Sequence, residues 1–203
     1  MGVNLRETIK AAARGVARVL VVPFCASFTV RALLLGRDRA LMSSTQTLAM
    51  VPGLLGQYLR RAFLQYAIAR CHNSVVVEWG TTVSRAGTRL DENAYIGPGC
   101  HLGLVHIERD ALIGAGVHVP SGAATHGIGD VVVPIRDQPG RERMIRIGAG
   151  AWVGSAAVVL ADIGDNTVVG AGAVVTKALP AAVVAAGVPA RVLRTRMSCR
   201  EAV

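Results

Sequence analysis

Aromatic side chains are scarce in this 203-residue sequence. They make up 4% of it, although 52% of the residues are hydrophobic. A core with so few large rings has to be built from small aliphatic side chains that lie close together. The 23 glycines agree with this, because glycine lets backbone segments approach each other. The composition favours one close-packed domain, with or without an appendage.

Paired cysteine motifs are also lacking. Cys25, Cys71, Cys100 and Cys199 show neither C-x-x-C spacing nor the spacing of a disulfide framework. They therefore indicate a reducing compartment and packing roles, rather than a metal site. The sequence contains no nucleophile elbow of the G-x-S-x-G type and no P-loop, which argues against serine hydrolases and P-loop nucleotide enzymes.

Negative charge is nearly absent from the first third of the chain. The net charge is +9, and residues 1–70 hold ten Lys or Arg against two acidic residues, a balance of +8. The remainder holds twelve against eleven. Since no nucleic-acid recognition motif accompanies the basic residues, we expect no nucleic-acid partner.

The start of the chain has the pattern of a basic amphipathic helix over residues 4–20, with Asn4 as its cap. Basic residues stand four apart and form one stripe, and apolar residues form the other face. Such a helix is typical of binding at an anionic membrane surface, and the alternative is an ordinary helix packed on its own protein. The basic stripe is Arg6, Lys10, Arg14 and Arg18, and the apolar face is Leu5, Ile9, Ala12, Val16 and Val19.

No apolar run in residues 1–70 suits a membrane span. The run at 19–30 is shorter than the roughly 20 residues that a span needs, and residues 40–59 are too polar in their first half. A further helix is predicted over 54–70, and the start does not resemble a secretory signal. We expect a helical segment at a membrane interface. The alternatives are a subunit contact and a cap on the open end of the following domain.

A six-residue aliphatic repeat dominates residues 71–180. This period fits neither a helix nor a simple strand, and it indicates a solenoid whose coils share one inner column. Gly follows four of the later aliphatic residues, where we expect it to let the chain turn a corner. The repeat positions are Leu90, Ile96, Leu102, Ile107, Ile113, Val119, Ile147, Val153, Val159, Ile163, Val169 and Val175.

The repeat is interrupted between residues 120 and 146, where prolines, glycines and charged residues predict a loop thrown out of the solenoid. His126 stands where this loop begins, and a histidine there is well placed to act as a general base. His118 is the second choice. Asp130 and Asp137 flank the loop and either orient His126 or solvate the loop, and the second is favoured.

Three motifs near the end of the chain carry a family resemblance: WVGSAAVV, IGDNTVVGAGAVVTKALP and AAGVPARVLR. Over residues 75–195 the sequence resembles the hexapeptide-repeat acyltransferases. This family includes the galactoside, maltose and serine acetyltransferases and the polysaccharide O-acetyltransferases. The resemblance implies an all-β left-handed parallel β-helix with an α-helical N-terminal appendage, a homotrimer, and a tail at 181–203.

The resemblance also implies a mechanism and a set of site residues. His126 takes the proton of an acceptor hydroxyl, and the oxygen attacks the thioester of acetyl-CoA. Trp152 packs on the cofactor or fills a corner of the solenoid. The cofactor contacts carried over from the family are Ser155, Ala171, Thr176, Lys177, Arg191 and Arg194.

Two departures from the family pattern stand out. The step from Val159 to Ile163 is four residues instead of six, and His126 is followed by Gly127 where the galactoside and maltose enzymes have Pro. The loop is closer to exopolysaccharide and lipopolysaccharide gene products. We therefore expect O-acetylation of a sugar hydroxyl by a cytoplasmic enzyme, peripheral on the inner membrane.

Two other function classes stay open. A metalloenzyme like the γ-class carbonic anhydrases would need three histidine ligands that meet between subunits, for which His101, His106 and His118 are available. A non-catalytic solenoid scaffold would need none of the site residues. The expected site holds no metal.

Overall fold

The computed structural model describes residues 5–196, with side chains from residue 8 onward. Asn4, the predicted helix cap, and residues 197–203 of the predicted tail lie outside this part of the chain. Four helices come first, at Leu5–Leu20 (α1), Val22–Leu35 (α2), Arg37–Ala49 (α3) and Gly53–Ala67 (α4). They confirm a helical N-terminal segment.

The remainder of the described chain forms a parallel β-helix of very short strands. The strands build three walls: a four-stranded sheet ordered β1-β4-β7-β10, a five-stranded sheet ordered β14-β12-β9-β6-β3, and a seven-stranded sheet ordered β16-β15-β13-β11-β8-β5-β2. The strands are β1 Arg70–Cys71, β2 Val76–Val77, β3 Thr82–Val83, β4 Arg89–Leu90, β5 Tyr95–Ile96, β6 His101–Leu102, β7 Val105–Ile107, β8 Leu112–Ile113, β9 His118–Val119, β10 Ile145–Ile147, β11 Trp152–Val153, β12 Val158–Val159, β13 Val168–Val169, β14 Val174–Val175, β15 Val183–Ala186 and β16 Arg191–Thr195.

The six-residue repeat places one aliphatic side chain of each wall inside the coil. All twelve predicted repeat positions are at most 1% exposed. Parallel pairing keeps them in register from coil to coil, as in Ile96 beside Ile113 and Leu102 beside Val119. Small side chains suffice because the walls are close, which accounts for the shortage of aromatic residues.

The predicted role of the repeat glycines is wrong. The chain turns its corners further on, at residues in the left-handed region such as Gly150 (φ 63°) and Gly172 (φ 66°). Gly154 and Gly164 instead permit close stacking of one coil on the next, because a Cβ at Gly154 would lie 2.5 Å from the Ala171 nitrogen. Glycine is required there by packing between coils.

The short step between Val159 and Ile163 does not disturb the register. Ile163 bridges to Ile147 in the preceding coil and to Leu179 in the following one. The shortening is confined to the corner between the five-stranded and four-stranded walls. The predicted tail continues the fold, since β15 pairs parallel with β13, and β16 then pairs antiparallel with β15.

The helical segment covers the first coil. Thr45 of α3 accepts a hydrogen bond from the Val83 N–H and donates one to the Val83 carbonyl, at 3.2 and 3.0 Å. The buried Arg60 of α4 donates from Nε to the Val77 carbonyl at 2.9 Å. Helices α3 and α4 therefore satisfy and shield the edge of the solenoid, as the capping alternative expects.

None of the described helices is, on its own, long and apolar enough to cross a membrane. Helices α1 and α2 pass that test only as a pair bent by 44°, and only by length and composition.

The inner column makes a prediction for stability. Ile113→Ala removes a fully buried side chain from the middle of the column, and we expect it to lower the free energy of unfolding by about 2–5 kcal/mol. Leu112→Ala, its neighbour with a 43% exposed side chain on the outer face, should cost less than about 1 kcal/mol. Denaturant unfolding of both variants measures the difference. Equal losses would contradict an inward-facing column.

Candidate active site

The loop that follows β9 lies on the outside of the coil, beside the continuous five-stranded wall. This loop occupies residues 120–144, close to the predicted 120–146, and contains a short 3₁₀ turn at Ile135–Asp137. A cleft of about 300 Å³ lies on one side of the loop and a groove of about 430 Å³ on the other. The loop therefore stands between two cavities on the outside of the coil.

The first cavity, the histidine cleft, brings three histidines together. His101, His118 and His126 line it, with Met42 and Thr82 among the other lining residues. His101 and His118 come from adjacent strands of the five-stranded wall, while His126 comes from the loop. The cleft therefore combines a fixed wall with a side chain carried by the loop.

The fixed wall is an outward-facing column. Thr82, His101 and His118 are register partners on β3, β6 and β9. The Thr82 hydroxyl lies 2.9 Å from His101 Nδ1, and the two imidazole rings are 4.7 Å apart between centroids. Each of the three directly precedes an inward aliphatic residue. The repeat thus contained the signal for this column, which the sequence analysis missed.

His101 is exposed on the wall, but partial desolvation by its neighbours lowers the pKa of its imidazole, and the neighbouring charge of His118 lowers it secondarily. Both effects disfavour the imidazolium form. His101 is therefore held neutral to lower pH than an ordinary histidine, and it can accept or donate one hydrogen bond in the cleft.

His126 is exposed on the first residues of the loop, whose two ends run side by side. The Arg143 N–H donates to the Ser121 carbonyl at 2.8 Å, and the Arg141 N–H donates to the Ala124 carbonyl at 2.6 Å. Within the described residues, the His126 side chain has no hydrogen-bond partner. Its position is fixed through the backbone of the loop base.

Two glycines let the loop base close beside His126. A Cβ at Gly140 would lie 2.1 Å from the Thr125 carbonyl oxygen and 2.7 Å from the His126 nitrogen. A Cβ at Gly127 would lie 2.7 Å from the Pro139 carbonyl oxygen. This contact explains why glycine follows the histidine here, because Gln138 and Pro139 occupy the space that a side chain would need.

Ion pairs hold residues 141–144, the returning end of the loop, in place. Arg85, at the corner after β3, donates from Nε to the Glu142 carboxylate at 2.6 Å, and this hydrogen bond lowers the pKa of Glu142. Arg143 pairs with Asp162 at 3.1 Å. The loop is thereby tied to the first coil on one side of His126 and to a later coil on the other.

Neither candidate carboxylate orients His126. Asp130 accepts the Val132 N–H at 2.7 Å, and Asp137 lies beside Arg136. The buried Gln138 amide donates to the carbonyls of Asp130 and Val133 at 2.6 and 2.8 Å. These groups stabilise the outer part of the loop.

The second cavity, the lysine groove, is lined by Thr176 and Lys177 together with Arg141 and Arg143 of the loop. Ser155 and Ala171 lie at the other edge of the same wall, on stacked corners where the Gly172 N–H donates to the Ser155 carbonyl at 2.8 Å. Four of the predicted cofactor residues therefore border one wall. Arg141 is a further cation there that the sequence analysis missed.

The remaining three predicted cofactor residues lie elsewhere in the single chain. Trp152 is half exposed on the outside of the seven-stranded wall, between Leu112 and Val168. Arg191 and Arg194 are exposed on β16, the outermost strand of that wall. One chain does not bring them to the lysine groove.

The histidines proposed for a metal site are divided between two walls. His106 lies in the four-stranded wall, where its Nε2 is 2.8 Å from the Asp91 carboxylate, while His101 and His118 share the five-stranded wall. Within residues 8–196 there is no group of three side chains placed to hold a metal ion.

The stacked imidazoles give a measurable prediction. Replacing His118 with Asn removes a neighbouring positive charge, so the pKa of His101 should rise towards its ordinary value while the effect of partial desolvation remains. Histidine proton resonances followed by NMR through a pH titration measure this shift. His106→Asn, on another wall, should leave the His101 titration unchanged. An unchanged pKa in the His118 variant would contradict the coupling.

Comparison with known proteins places the chain in a family, although no family model matches it. Galactoside O-acetyltransferase from Escherichia coli strain K12 is 31% identical over 167 residues, which are 71% of this chain and 82% of that protein. A galactoside acetyltransferase structure in complex with coenzyme A has a TM-score of 0.63 and 26% identity, covering 83% of this chain and 82% of that one.

The fold is shared more widely. A hexapeptide-repeat acetyltransferase from Vibrio cholerae has a TM-score of 0.65 at 19% identity, covering 79% of this chain and 93% of that one. A maltose O-acetyltransferase from Clostridium difficile 630 has a TM-score of 0.63 at 20% identity, covering 82% and 89%. With the relatedness to the galactoside enzyme, these likenesses show that the chain belongs to the hexapeptide-repeat acyltransferases, CoA-dependent enzymes built on the left-handed parallel β-helix.

Proposed function

We propose that the protein transfers the acetyl group of acetyl-CoA to a hydroxyl of a sugar, with His126 as the general base. One observation carries this proposal. His126 stands on the base of a loop that separates a cleft containing His101 and His118 from a groove lined by Thr176 and Lys177. An acceptor on one side and a cofactor on the other would meet at this residue.

The chemistry follows from that arrangement. An acceptor hydroxyl in the histidine cleft gives its proton to the His126 imidazole while its oxygen attacks the thioester carbonyl carbon. The tetrahedral intermediate then collapses, the carbon–sulfur bond breaks, and the imidazolium returns the proton to the CoA sulfur. The neutral His101 and the Thr82 hydroxyl lie in the same cleft and offer hydrogen bonds that orient the acceptor.

The cofactor side uses the lysine groove. In this proposal Lys177 meets the phosphates of CoA with Arg141 beside it, because cations form strong hydrogen bonds with phosphate oxygens. Ser155 and Ala171 are small residues on stacked corners, where a pantetheine chain can approach the backbone. Thr176 lies between these contacts and the loop.

We also propose that the enzyme is a homotrimer. The loop carries apolar side chains that the chain itself leaves uncovered, with Ile128 81%, Val131 100% and Val132 85% exposed. A neighbouring copy that covers them would exclude water from the loop. The same neighbour could bring Trp152, Arg191 and Arg194, which lie away from the lysine groove within one chain, to the cofactor.

The acceptor class and location are part of the same proposal. A relative that is 31% identical and covered over 82% of its length is named for a galactoside, which supports a sugar acceptor. The ten basic residues of positions 1–70 support a peripheral position on the cytoplasmic face of the inner membrane. A sugar precursor of exopolysaccharide or lipopolysaccharide would be reached from there.

The general base gives the first test of the function. His126→Ala should lower kcat for acetyl transfer to a panel of sugars by about 10²–10⁴-fold, because no base is left to take the proton of the sugar hydroxyl. Turnover of acetyl-CoA, read by release of the free thiol, measures it. His72→Ala, a histidine bonded to Ser74 outside both cavities, is the matched control and should keep the rate. A His126 variant with unchanged kcat would remove the proposed base.

The glycine at the loop base gives a second test. Gly140→Ala should push the two ends of the loop apart beside Thr125 and displace His126, which would lower kcat by about tenfold or more. Gly129→Ala lies in the same loop, and nothing lies within 4 Å of the added methyl group, so its kcat should stay near that of the wild type. Steady-state kinetics of the two variants measure the difference in kcat. Similar kcat values would show that close packing at the foot of the loop does not position the His126 imidazole.

A further inference from the structure

One face of α1 and α2 is apolar along its whole length and points away from the protein. Its residues recur at alternating steps of three and four across both helices, and all of them are exposed. Val19 is 71% and Leu33 83% exposed. We call this set the apolar stripe: Ile9, Ala12, Val16, Val19, Pro23, Ala26, Val30 and Leu33.

The opposite face of the same helices is the one packed on the protein. Ala17, Val21 and Phe28 are at most 3% exposed. The Phe28 ring packs edge-on against Phe63 and Tyr66 of α4, with centroids 5.6 and 6.1 Å away. The helices are therefore already docked, and the stripe is a second apolar surface that no described residue covers.

Two exposed arginines accompany the apolar stripe, and we call them the arginine border. Arg18 lies in the last turn of α1, and Arg39 lies in the first turn of α3, six residues after Leu33. Of the two acidic residues in positions 1–70, Asp38 is occupied by the Ala86 N–H at 2.9 Å, and the side chain of Glu7 lies outside the described part. The surface around the stripe is therefore apolar and cationic.

A second copy of the chain fits this surface poorly. Two such segments would bring balances of +8 against each other. The 44° bend between α1 and α2 interrupts the continuous helix that a coiled coil requires, and Ala12, Pro23 and Ala26 supply little knob volume. An anionic lipid surface complements both the charge and the apolar face.

The helices also suit a position along a membrane rather than through it. At 16 and 14 residues they are about 24 and 21 Å long, shorter than the hydrocarbon core of about 30 Å. One side of α2 is held against α4, so lipid can reach only the exposed side of this helix, which carries the stripe.

We propose that the apolar stripe and its arginine border dock the enzyme on a bilayer of anionic phospholipid. This names the surface and the lipid class for the proposed membrane location, and it does not depend on the acetyl-transfer chemistry. The docked helix is connected to the acceptor side of the site. Arg31 of α2 donates to Ser43 and Ser44 of α3 at 2.8 and 2.9 Å, and the adjacent Met42 lines the histidine cleft. The cleft thus lies beside the membrane-bound helices, where a lipid-linked acceptor would be presented.

Vesicle flotation of the full-length protein tests the proposal. The wild type should float with phosphatidylcholine vesicles that contain phosphatidylglycerol, and much less with phosphatidylcholine alone. The double variant Val19→Glu/Leu33→Glu should lose at least about tenfold in partitioning, because two charges would enter the apolar layer. Leu193→Glu is the matched control. It is 66% exposed on β16, at the opposite end of the solenoid from the helices, and should float like the wild type.

The arginine border is tested separately. Arg18→Gln/Arg39→Gln should weaken binding to the anionic vesicles about 25-fold, since each basic residue contributes about 1 kcal/mol, or about fivefold, near an anionic surface. Binding to neutral vesicles should be unchanged. Acetyl-CoA turnover and oligomeric mass, measured on the same samples, should match the wild type in the Val19/Leu33 and Arg18/Arg39 variants.

Three results would overturn the docking proposal. The wild type stays at the bottom of the gradient with anionic vesicles, or the Val19/Leu33 variant floats as well as the wild type. Alternatively, that variant loses oligomeric mass while the wild type binds no vesicles, which would assign the stripe to a second copy. In each case turnover of acetyl-CoA would still report on the transferase function by itself.

Discussion

Stacking of one inward aliphatic side chain on the same position of the next coil is the interaction on which the rest of this structure depends. Residues such as Ile96, Ile113 and Val153 are fully buried because the coils before and after each of them cover it within the column. Once this column fixes the register, the outward residues must stack as well. Thr82, His101 and His118 meet for this reason, although Thr82 and His118 are 36 residues apart in the sequence.

The loop after β9 obeys different rules, because no repeated contact supports it. It depends on single interactions: the backbone pairing at Ser121 and Ala124, the pair of Arg85 with Glu142, and the Gln138 amide. In the proposed function, the rigid coil supplies fixed positions for acceptor and cofactor, while the loop supplies the exposed His126. A scaffold held by many equivalent contacts can carry such a loop without losing its own order.

The sequence was informative where the structure is periodic. Its six-residue spacing predicted twelve inward residues of the column, from Leu90 to Val175, and the position of the loop that begins near His126. It did not predict the contacts of the loop, because pairs such as Arg85 and Glu142 join distant segments without a repeat. It assigned the repeat glycines to turns, whereas Gly154 serves close stacking of coils, a property of the neighbouring coil. The amphipathic first helix was evident, but tertiary packing on α4 decided which of its faces stays exposed.

The central claim is that His126 stands between bound acceptor and bound acetyl-CoA. A crystal structure of the assembled enzyme soaked with acetyl-CoA tests it most directly. The thioester carbonyl carbon should lie within about 7 Å of a His126 ring nitrogen, because an acceptor oxygen must contact both. The phosphates should lie beside Lys177. A thioester bound on another wall, too far from every His126 for one oxygen to bridge the two, would contradict the claim.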